Sequence, residues 1–386
     1  MSRRTEKVVI DLPVKKKVAK RAQSAGSANE KKREQVIVVN PGGITTKLAV
    51  FCGEKCFSQA TINHPKSELT QFARILDQYE YRLDMVLKFL ADHSIDYDRC
   101  MAVVGRGGLM KPLIGGVYLI NKRMLRDLES TRYGEHACNL GAPLAYNIAK
   151  RCGAPAFVSD PVTVDEFWPF SRYGGHPAFE RKSCLHAISH RAAARRAAGE
   201  LGVAYEKANF VVVHMGSGIS IAAHRKGRIV DANNALAGDG PFSPERTGTV
   251  PTGPLVKTCF NGSSFTDVWT MLTTHGGLYA YLGTNDCREV EARIKRGDAK
   301  AEEVYEAMAY QIAKSIGGTA AVLSGQVNAV VLTGAMARSR ILVRTIRKYA
   351  GFVAPFHVYP DIEEVSAMAS AINAAMAGKV KIQEYR

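Results

Sequence analysis

Two arginines on glycine-bearing loops are the first residues that could do chemistry. Arg106 stands in Gly105-Arg106-Gly107-Gly108, directly after the apolar run Met101–Val104. Arg246 stands in Ser243-Pro244-Glu245-Arg246-Thr247-Gly248, inside a Gly- and Pro-rich stretch, residues 237–254, without strong periodicity. A guanidinium offers a planar fork of donors that matches phosphate and carboxylate oxygens. Two of them arriving from different loops can spread the charge of a transferring phosphoryl group. Singly, each reads as a surface arginine. Asp160 follows the short apolar run Ala156–Ser159. There a carboxylate can hold Mg²⁺ or orient a nucleophile; a helix N-cap or turn aspartate is the plain alternative. His186 and His190 are spaced i, i+4 on Ser183–Leu201, an Ala- and Arg-rich segment that reads as a helix. No HExxH glutamate accompanies them, so one of them donating to phosphate is a better reading than a zinc pair.

Two glycine turns belong to a repeat. Val36–Phe51 is VIVVNPGGITTKLAVF and Phe210–His224 is FVVVHMGSGISIAAH. Each has an apolar run, a turn with two glycines and a second apolar run. Asn40 in the first aligns with His214 in the second, 174 positions on. A strand, a tight turn and a returning strand make a hairpin whose backbone N–H groups can face an anion. Gly42-Gly43 and Gly216-Ser217-Gly218 therefore predict two phosphate-cradling turns on two similar lobes, with nucleotide between them. Neither turn is a Walker motif, and the Gly-x-Gly-x-x-Gly fingerprint is missing.

The elements that must position these residues follow from periodicity. Glu68–His93 carries apolar residues at helical spacing, from Leu69 and Phe72 to Leu87 and Leu90, which predicts one helix. Helices are also expected over Glu302–Leu323 and Ser366–Met376, and a buried strand over Asn328–Leu332. Thr333-Gly334-Ala335 then turns into a segment bearing Arg338, Arg340, Arg344 and Arg347. Strands mixed with long helices in both halves predict an α/β protein. The expected division is a basic extension 1–34, a first lobe 35–202 and a second lobe 203–386, whose last helix packs back on the first lobe.

Composition bounds the alternatives. At 386 residues the chain suits two domains. No apolar run approaches the length of a membrane helix, and the N-terminus lacks the apolar core of a secretory signal. Formal charge is +16, of which residues 1–34 contribute +7 from 11 Lys/Arg and 4 Asp/Glu. That extension reads as a solvated, disordered tail; contact with RNA or an anionic surface is the other use of its charge. The 8 cysteines are scattered and read as isolated thiols of a cytoplasmic protein, with no zinc spacing.

Taken together, the repeats, the Gly-Arg-Gly-Gly loop, Leu185-His186-Ala187-Ile188-Ser189-His190 and His214-Met215-Gly216-Ser217-Gly218 resemble the acetate/butyrate kinase family. Gly240–Arg246 and the run Gly277–Glu291 resemble its butyrate branch. The resemblance runs from about Val36 to Ala377. It implies two duplicated actin-like (ribonuclease H-like) ATPase domains flanking a nucleotide cleft. It also implies phosphoryl transfer between ATP, with Mg²⁺, and a short-chain carboxylate. Carried over by motif, Asn40 would lie near the transferring phosphate. Arg106 and Arg246 would bind the carboxylate and the phosphoryl group, and His186 would donate to its oxygens. Asp160 would serve Mg²⁺ or the attacking carboxylate. Gly42, Gly43, His214, Gly216, Ser217 and Gly218 would face nucleotide phosphates, and Gly334 and Ala335 the adenosine. A homo-oligomer is expected from the family. Two departures stand out. The strand before Gly334 is followed by Ala335-Met336-Ala337 instead of a glutamate, and Tyr359-Pro360-Asp361-Ile362-Glu363-Glu364 replaces Tyr-Pro-Gly-Glu.

Overall fold

The computed structural model describes residues 33–236 and 239–386. The tail expected over residues 1–34 lies, but for its last two positions, outside the described residues. Val36–Val39 is an unbroken run of β-branched residues. It forms the centre of strand β1 (Gln35–Pro41), buried along its whole length. The Pro-Gly-Gly turn returns the chain as β2 (Thr45–Cys52), and β3 (Lys55–Asn63) completes an antiparallel meander. The sheet continues through β4 (Cys100–Arg106), β5 (Val117–Leu119), β6 (Ala156–Ser159) and a late strand, β12 (Ile382–Glu384). The strand order is β12-β5-β6-β4-β1-β2-β3, with β1, β4 and β6 parallel.

The second sheet repeats the plan. β7 (Asn209–Met215), β8 (Ile219–Arg225) and β9 (Arg228–Ala232) form the meander. β10 (Ala329–Thr333) and β11 (Phe356–Tyr359) add in parallel, giving the order β11-β10-β7-β8-β9. Both glycine repeats are therefore hairpins, β1–β2 and β7–β8. Buried parallel strands need both faces covered. Helices Tyr79–Asp92 and Gly141–Cys152 cover one face of the first sheet, and the long helix Ala299–Val322 covers one face of the second.

Two helices are exchanged between the sheets. Ala187–Glu200 follows the first sheet's β6, yet its Ala193, Ala194 and Ala197 pack on Phe210, Val212 and Val331 of the second. Glu364–Met376 follows the second sheet's β11, yet its Val365, Met368 and Ile372 pack on Val36, Val38 and Val104 of the first. These crossings bring the N-terminal ends of both helices between the sheets.

One sequence expectation fails. Glu68–His93 is not one helix but a short turn of helix at Lys66–Leu69, a loop, a 3₁₀ turn at Ile75–Gln78 and the helix Tyr79–Asp92. Asp77 accepts from the Arg74 N–H at 3.0 Å and starts the helical structure afresh. Among the described residues, no helix is long and apolar enough to cross a membrane.

Candidate active site

The parallel strands aim their carboxyl ends at one region, where open α/β sheets place ligands. In the first sheet Val39 pairs with Gly105 and Arg106 with Ser159. Asn40, Arg106 and Asp160 consequently emerge from neighbouring strand ends. In the second sheet His214 pairs with Thr333, so His214 and Gly334 emerge side by side.

Glu364, the first residue of its helix, knits this region together. Its carboxylate is ion-paired with Arg106. It accepts from Asn40 Nδ2 at 2.8 Å and from Ser189 Oγ at 3.2 Å. Arg106 Nη1 also donates to Asn40 Oδ1 at 3.2 Å. Burial by itself would raise the Glu364 pKa, but Arg106, Asn40 and His214 outweigh it and hold the group below 4.5. Sequence reading missed this residue. The acidic run Asp361–Glu364 looks like a solvated face, whereas the apolar positions Val365, Met368 and Ile372 show that the helix carries its first residue inward.

The His186 ring stacks on His214 with centroids 4.0 Å apart and planes within 18°. His186 Nδ1 lies 3.0 Å from Ser220 Oγ. Burial pushes both imidazoles below 6.5, His214 to about 4, and Arg106 pushes in the same direction. Both rings are neutral at pH 7. His190 does not reach the site; it is fully buried behind Ser220.

Arg246 lies against Gly218, where a Cβ would push on its guanidinium, and its Nη1 donates to the Ala235 carbonyl. Among the described residues, Arg106 Nε, Arg246 Nε and His214 Nδ1 are all buried without a hydrogen-bond partner. An unsatisfied buried polar group costs about 1–3 kcal/mol, and an anionic ligand would satisfy such donors. Both guanidiniums act on His186 and His136, depressing each, so their positive fields overlap. Beside Arg246 opens a cavity of about 260 Å³ lined partly by Ile219, Leu236, Val250, Leu255 and Leu272 and partly by polar residues, Asp239 and Asn233 among them.

The glycine turns differ in their support. Gly42 N donates to Thr45 O at 2.7 Å. Arg82, fully buried, holds the turn from behind. It donates to Gly42 O at 2.9 Å, Gly43 O at 2.7 Å and Thr46 Oγ1 at 3.2 Å, and is anchored by Gln78 Oε1. With its carbonyls taken, the turn leaves the Gly43 N–H without a partner among the described residues. Arg82 was hidden in sequence because an arginine among helical apolar positions reads as solvent-facing. In the second turn Gly216 N donates to Gly218 O at 3.1 Å, and Ser217 O accepts from Ser243 Oγ at 2.5 Å. Gly334 has φ +89°, and a Cβ there would collide with Met215 backbone. Only glycine allows that approach. Ala335 is exposed beside it.

Asp160 occupies a left-handed conformation, φ +37°, which aspartate tolerates better than most residues. Its Oδ1 accepts from Gly116 N at 2.9 Å and lies 3.2 Å from Arg191 Nε. Among the described residues its Oδ2 has no partner. Burial raises its pKa, opposed by Arg191 and Arg195. Arg191 is shared with Glu166 at 2.7 Å, whose other oxygen accepts from Ile229 N at 2.8 Å. Asp160 is thereby tied to the second sheet.

Duplicated mixed sheets, each with a glycine hairpin opening on a shared cleft, define a two-lobed, actin-like ATPase fold. Solved structures agree. The Porphyromonas gingivalis acetate kinase superposes with TM-score 0.71 at 18% identity, covering 89% of this chain and all of that one. A propionate kinase from Francisella tularensis superposes at 0.68 and 18%, covering 88% and 98%. A profile of the acetokinase family matches residues 176–376. A probable butyrate kinase of Listeria monocytogenes (serotype 4a, strain HCC23) is 43% identical over 356 residues, covering 91% of this chain and 99% of that one. The chain belongs to the acetokinase family.

Proposed function

We propose that the protein is a short-chain fatty acid kinase, a phosphotransferase with a carboxyl group as acceptor. It moves the terminal phosphoryl group of ATP to butyrate, giving butyryl phosphate and ADP, and the reverse. The observation that carries this reading is the pair of guanidinium donors, Arg106 Nε and Arg246 Nε, that have no partner among the described residues, with the unpartnered His214 Nδ1 beside them at the strand ends. The apolar wall of the cavity beside Arg246, Ile219, Leu236, Val250, Leu255 and Leu272, supports an acid with an apolar chain. Acetate, propionate and isobutyrate are the nearest competitors, since one methylene in a pocket is worth only about 1–3 kcal/mol.

The residues divide the task by chemistry. A carboxylate nucleophile is ionised near neutral pH and needs no strong general base, so positioning and charge neutralisation dominate. Arg246 binds the carboxylate and, with Arg106, the equatorial oxygens of the transferring phosphoryl. His186, neutral, donates to those oxygens. Asn40 and Glu364 hold Arg106 in place. The Gly42-Gly43 and Gly216-Ser217-Gly218 turns and His214 face nucleotide phosphates, and Gly334-Ala335 borders the adenosine.

Magnesium suits the donor set. Mg²⁺ takes one or two carboxylates and completes its shell with water and substrate phosphates. The Oδ2 of Asp160, without a partner among the described residues, is the group that would hold it, directly or through water. When bound it would neutralise phosphate charge. A cytoplasmic location and a homo-oligomer complete the reading, both resting on family membership.

The test is Arg246→Ala with butyrate and ATP. Turnover is expected to be lost while a fluorescent ADP analogue still binds. Retained turnover would overturn the assignment of Arg246. A nucleotide-binding protein without phosphoryl transfer would show no turnover even in the unmodified chain.

A further inference from the structure

Behind His186 runs a line of buried side chains that the proposed reaction does not touch. His186 Nδ1 meets Ser220 Oγ at 3.0 Å. Ser220 Oγ meets His190 Nε2 at 2.8 Å. His190 Nδ1 meets His224 Nε2 at 3.4 Å, the longest link. His224 Nδ1 meets the Tyr205 hydroxyl at 2.8 Å. Ser220, His190 and His224 are fully buried and Tyr205 is 4% exposed. The geometry comes from two matched spacings. His186 and His190 are one helical turn apart, and Ser220 and His224 lie on one face of β8, because strand side chains alternate.

Such a line can be hydrogen-bonded in two senses. A neutral imidazole carries one N–H and one acceptor nitrogen, and a hydroxyl donates once. Burial lowers the affinity of His186, His190 and His224 for a second proton well below the ordinary range, and neighbouring imidazoles and Arg106, Arg191 and Arg195 add to this. Each link then dictates the next. In one sense Tyr205 donates to His224 Nδ1, His224 Nε2–H to His190 Nδ1, His190 Nε2–H to Ser220, and Ser220 to His186 Nδ1. In the other sense every proton is reversed and the Tyr205 hydroxyl accepts from His224.

The end of the line decides between them. Among the described residues the Tyr205 hydroxyl has no partner besides His224. The cations that act on it, Arg191 and Arg195, cannot accept a proton, and among the described residues the carboxylates of Glu166 and Asp160 make no hydrogen bond to it. If Tyr205 accepted from His224, its own O–H would be buried without an acceptor, a penalty that folded proteins avoid.

We infer that Tyr205, remote from the cleft, sets the tautomer of His186: the line Tyr205–His224–His190–Ser220–His186 runs in one sense, leaving the His186 proton on Nε2. His186 is the half-buried member of the line, and among the described residues its Nε2 has no partner. That nitrogen is therefore a donor for a ligand anion. The stack on His214 keeps the ring plane fixed while the line fixes the proton. Tyr205, His224, His190 and Ser220 are positioning residues. The use of the donor rests on the proposed phosphoryl transfer; the tautomer does not.

The experiment is ¹⁵N NMR of the full chain labelled at histidine, which separates protonated from unprotonated ring nitrogens. His186, His190 and His224 are all expected to carry N–H at Nε2 only. Finding any of the three protonated only at Nδ1 overturns the inference, whatever the activity. Tyr205→Phe removes the terminal donor, so His186 is expected to become a mixture of tautomers. With an even mixture kcat falls about 2-fold while KM for ATP holds, because only the competent fraction turns over. Ser220→Ala cuts the line at its last link and is expected to release His186 in the same way. An unchanged Nε2–H signal from His186 in both variants overturns the inference. Absence of kinase turnover in the unmodified chain with the expected tautomers would sink the proposed function and leave the line standing.

Discussion

Replacing Gly218 by alanine tests the placement of Arg246 by sterics alone. The Gly218 backbone is not left-handed, so alanine adds no strain of its own. A Cβ there would lie 2.8 Å from Arg246 Cζ and 2.9 Å from the Ala235 carbonyl oxygen, and nearer still to Arg246 Nη1. Carbon atoms settle at about 3.5–4.0 Å. The guanidinium must then withdraw by about 1 Å, because the Ala235 carbonyl, being backbone, gives less than a side chain does. A displacement of about 1 Å at a reacting centre costs on the order of 10²-fold in rate, or about 2.7 kcal/mol of activation free energy. Gly218→Ala should accordingly lose about 100-fold in kcat, measured by trapping acyl phosphate with hydroxylamine. Gly199→Ala is the control. Its Cβ meets nothing within 4 Å, and it should keep full kcat while gaining about 0.5–1 kcal/mol of stability. Full kcat in Gly218→Ala, with the fold intact, would refute the reasoning that Arg246 acts from where it lies.

Three further outcomes follow from the same contacts. Arg82→Met strips the donors from Gly42 O and Gly43 O; it should cost about 1–3 kcal/mol for each carbonyl left unsatisfied, read in urea unfolding, and weaken ATP binding through the loosened turn. Glu364 titrates below its ordinary 4.5, so its stabilising contribution is complete above that pH and is lost as pH falls through the lower folded value. Glu364→Gln should therefore flatten the acid limb of stability below about pH 4.5 and lower kcat by loosening Arg106. His64, His136, His186, His190, His214 and His224 are all held below 6.5 by burial. Between 6.5 and about 4 the unfolded chain binds more protons than the folded one. Unfolding midpoints should thus drop steeply as pH falls below 6.5, and the active-site imidazoles should place no step near pH 6.5 in kcat.

What could be read from sequence depended on whether a signal was local. The β1–β2 and β7–β8 hairpins were legible because a β-branched run, two glycines and a returning run state a strand, a turn and a strand within sixteen residues. Arg106 and Asp160 both follow apolar runs in the sequence, and the parallel pairing of β4 with β6 places them at neighbouring strand ends. Long-range features were invisible. Glu364 reaches Asn40 across 324 positions, and only the exchange of the Glu364–Met376 helix onto the first sheet brings it there. Arg82 and Tyr205 are polar residues whose burial depends on what the rest of the chain packs around them. The helix expected over Glu68–His93 failed because its apolar spacing continues across a loop that Phe72 occupies without joining the core.

The central claim is that this cleft passes phosphoryl from ATP to a short-chain carboxylate. The most direct measurement is ATP-dependent hydroxamate formation with acetate, propionate, butyrate, isobutyrate and valerate, each at equal concentration. The account predicts acyl phosphate formation with kcat/KM highest for butyrate. ATP binding without acyl phosphate from any of the five acids would contradict it.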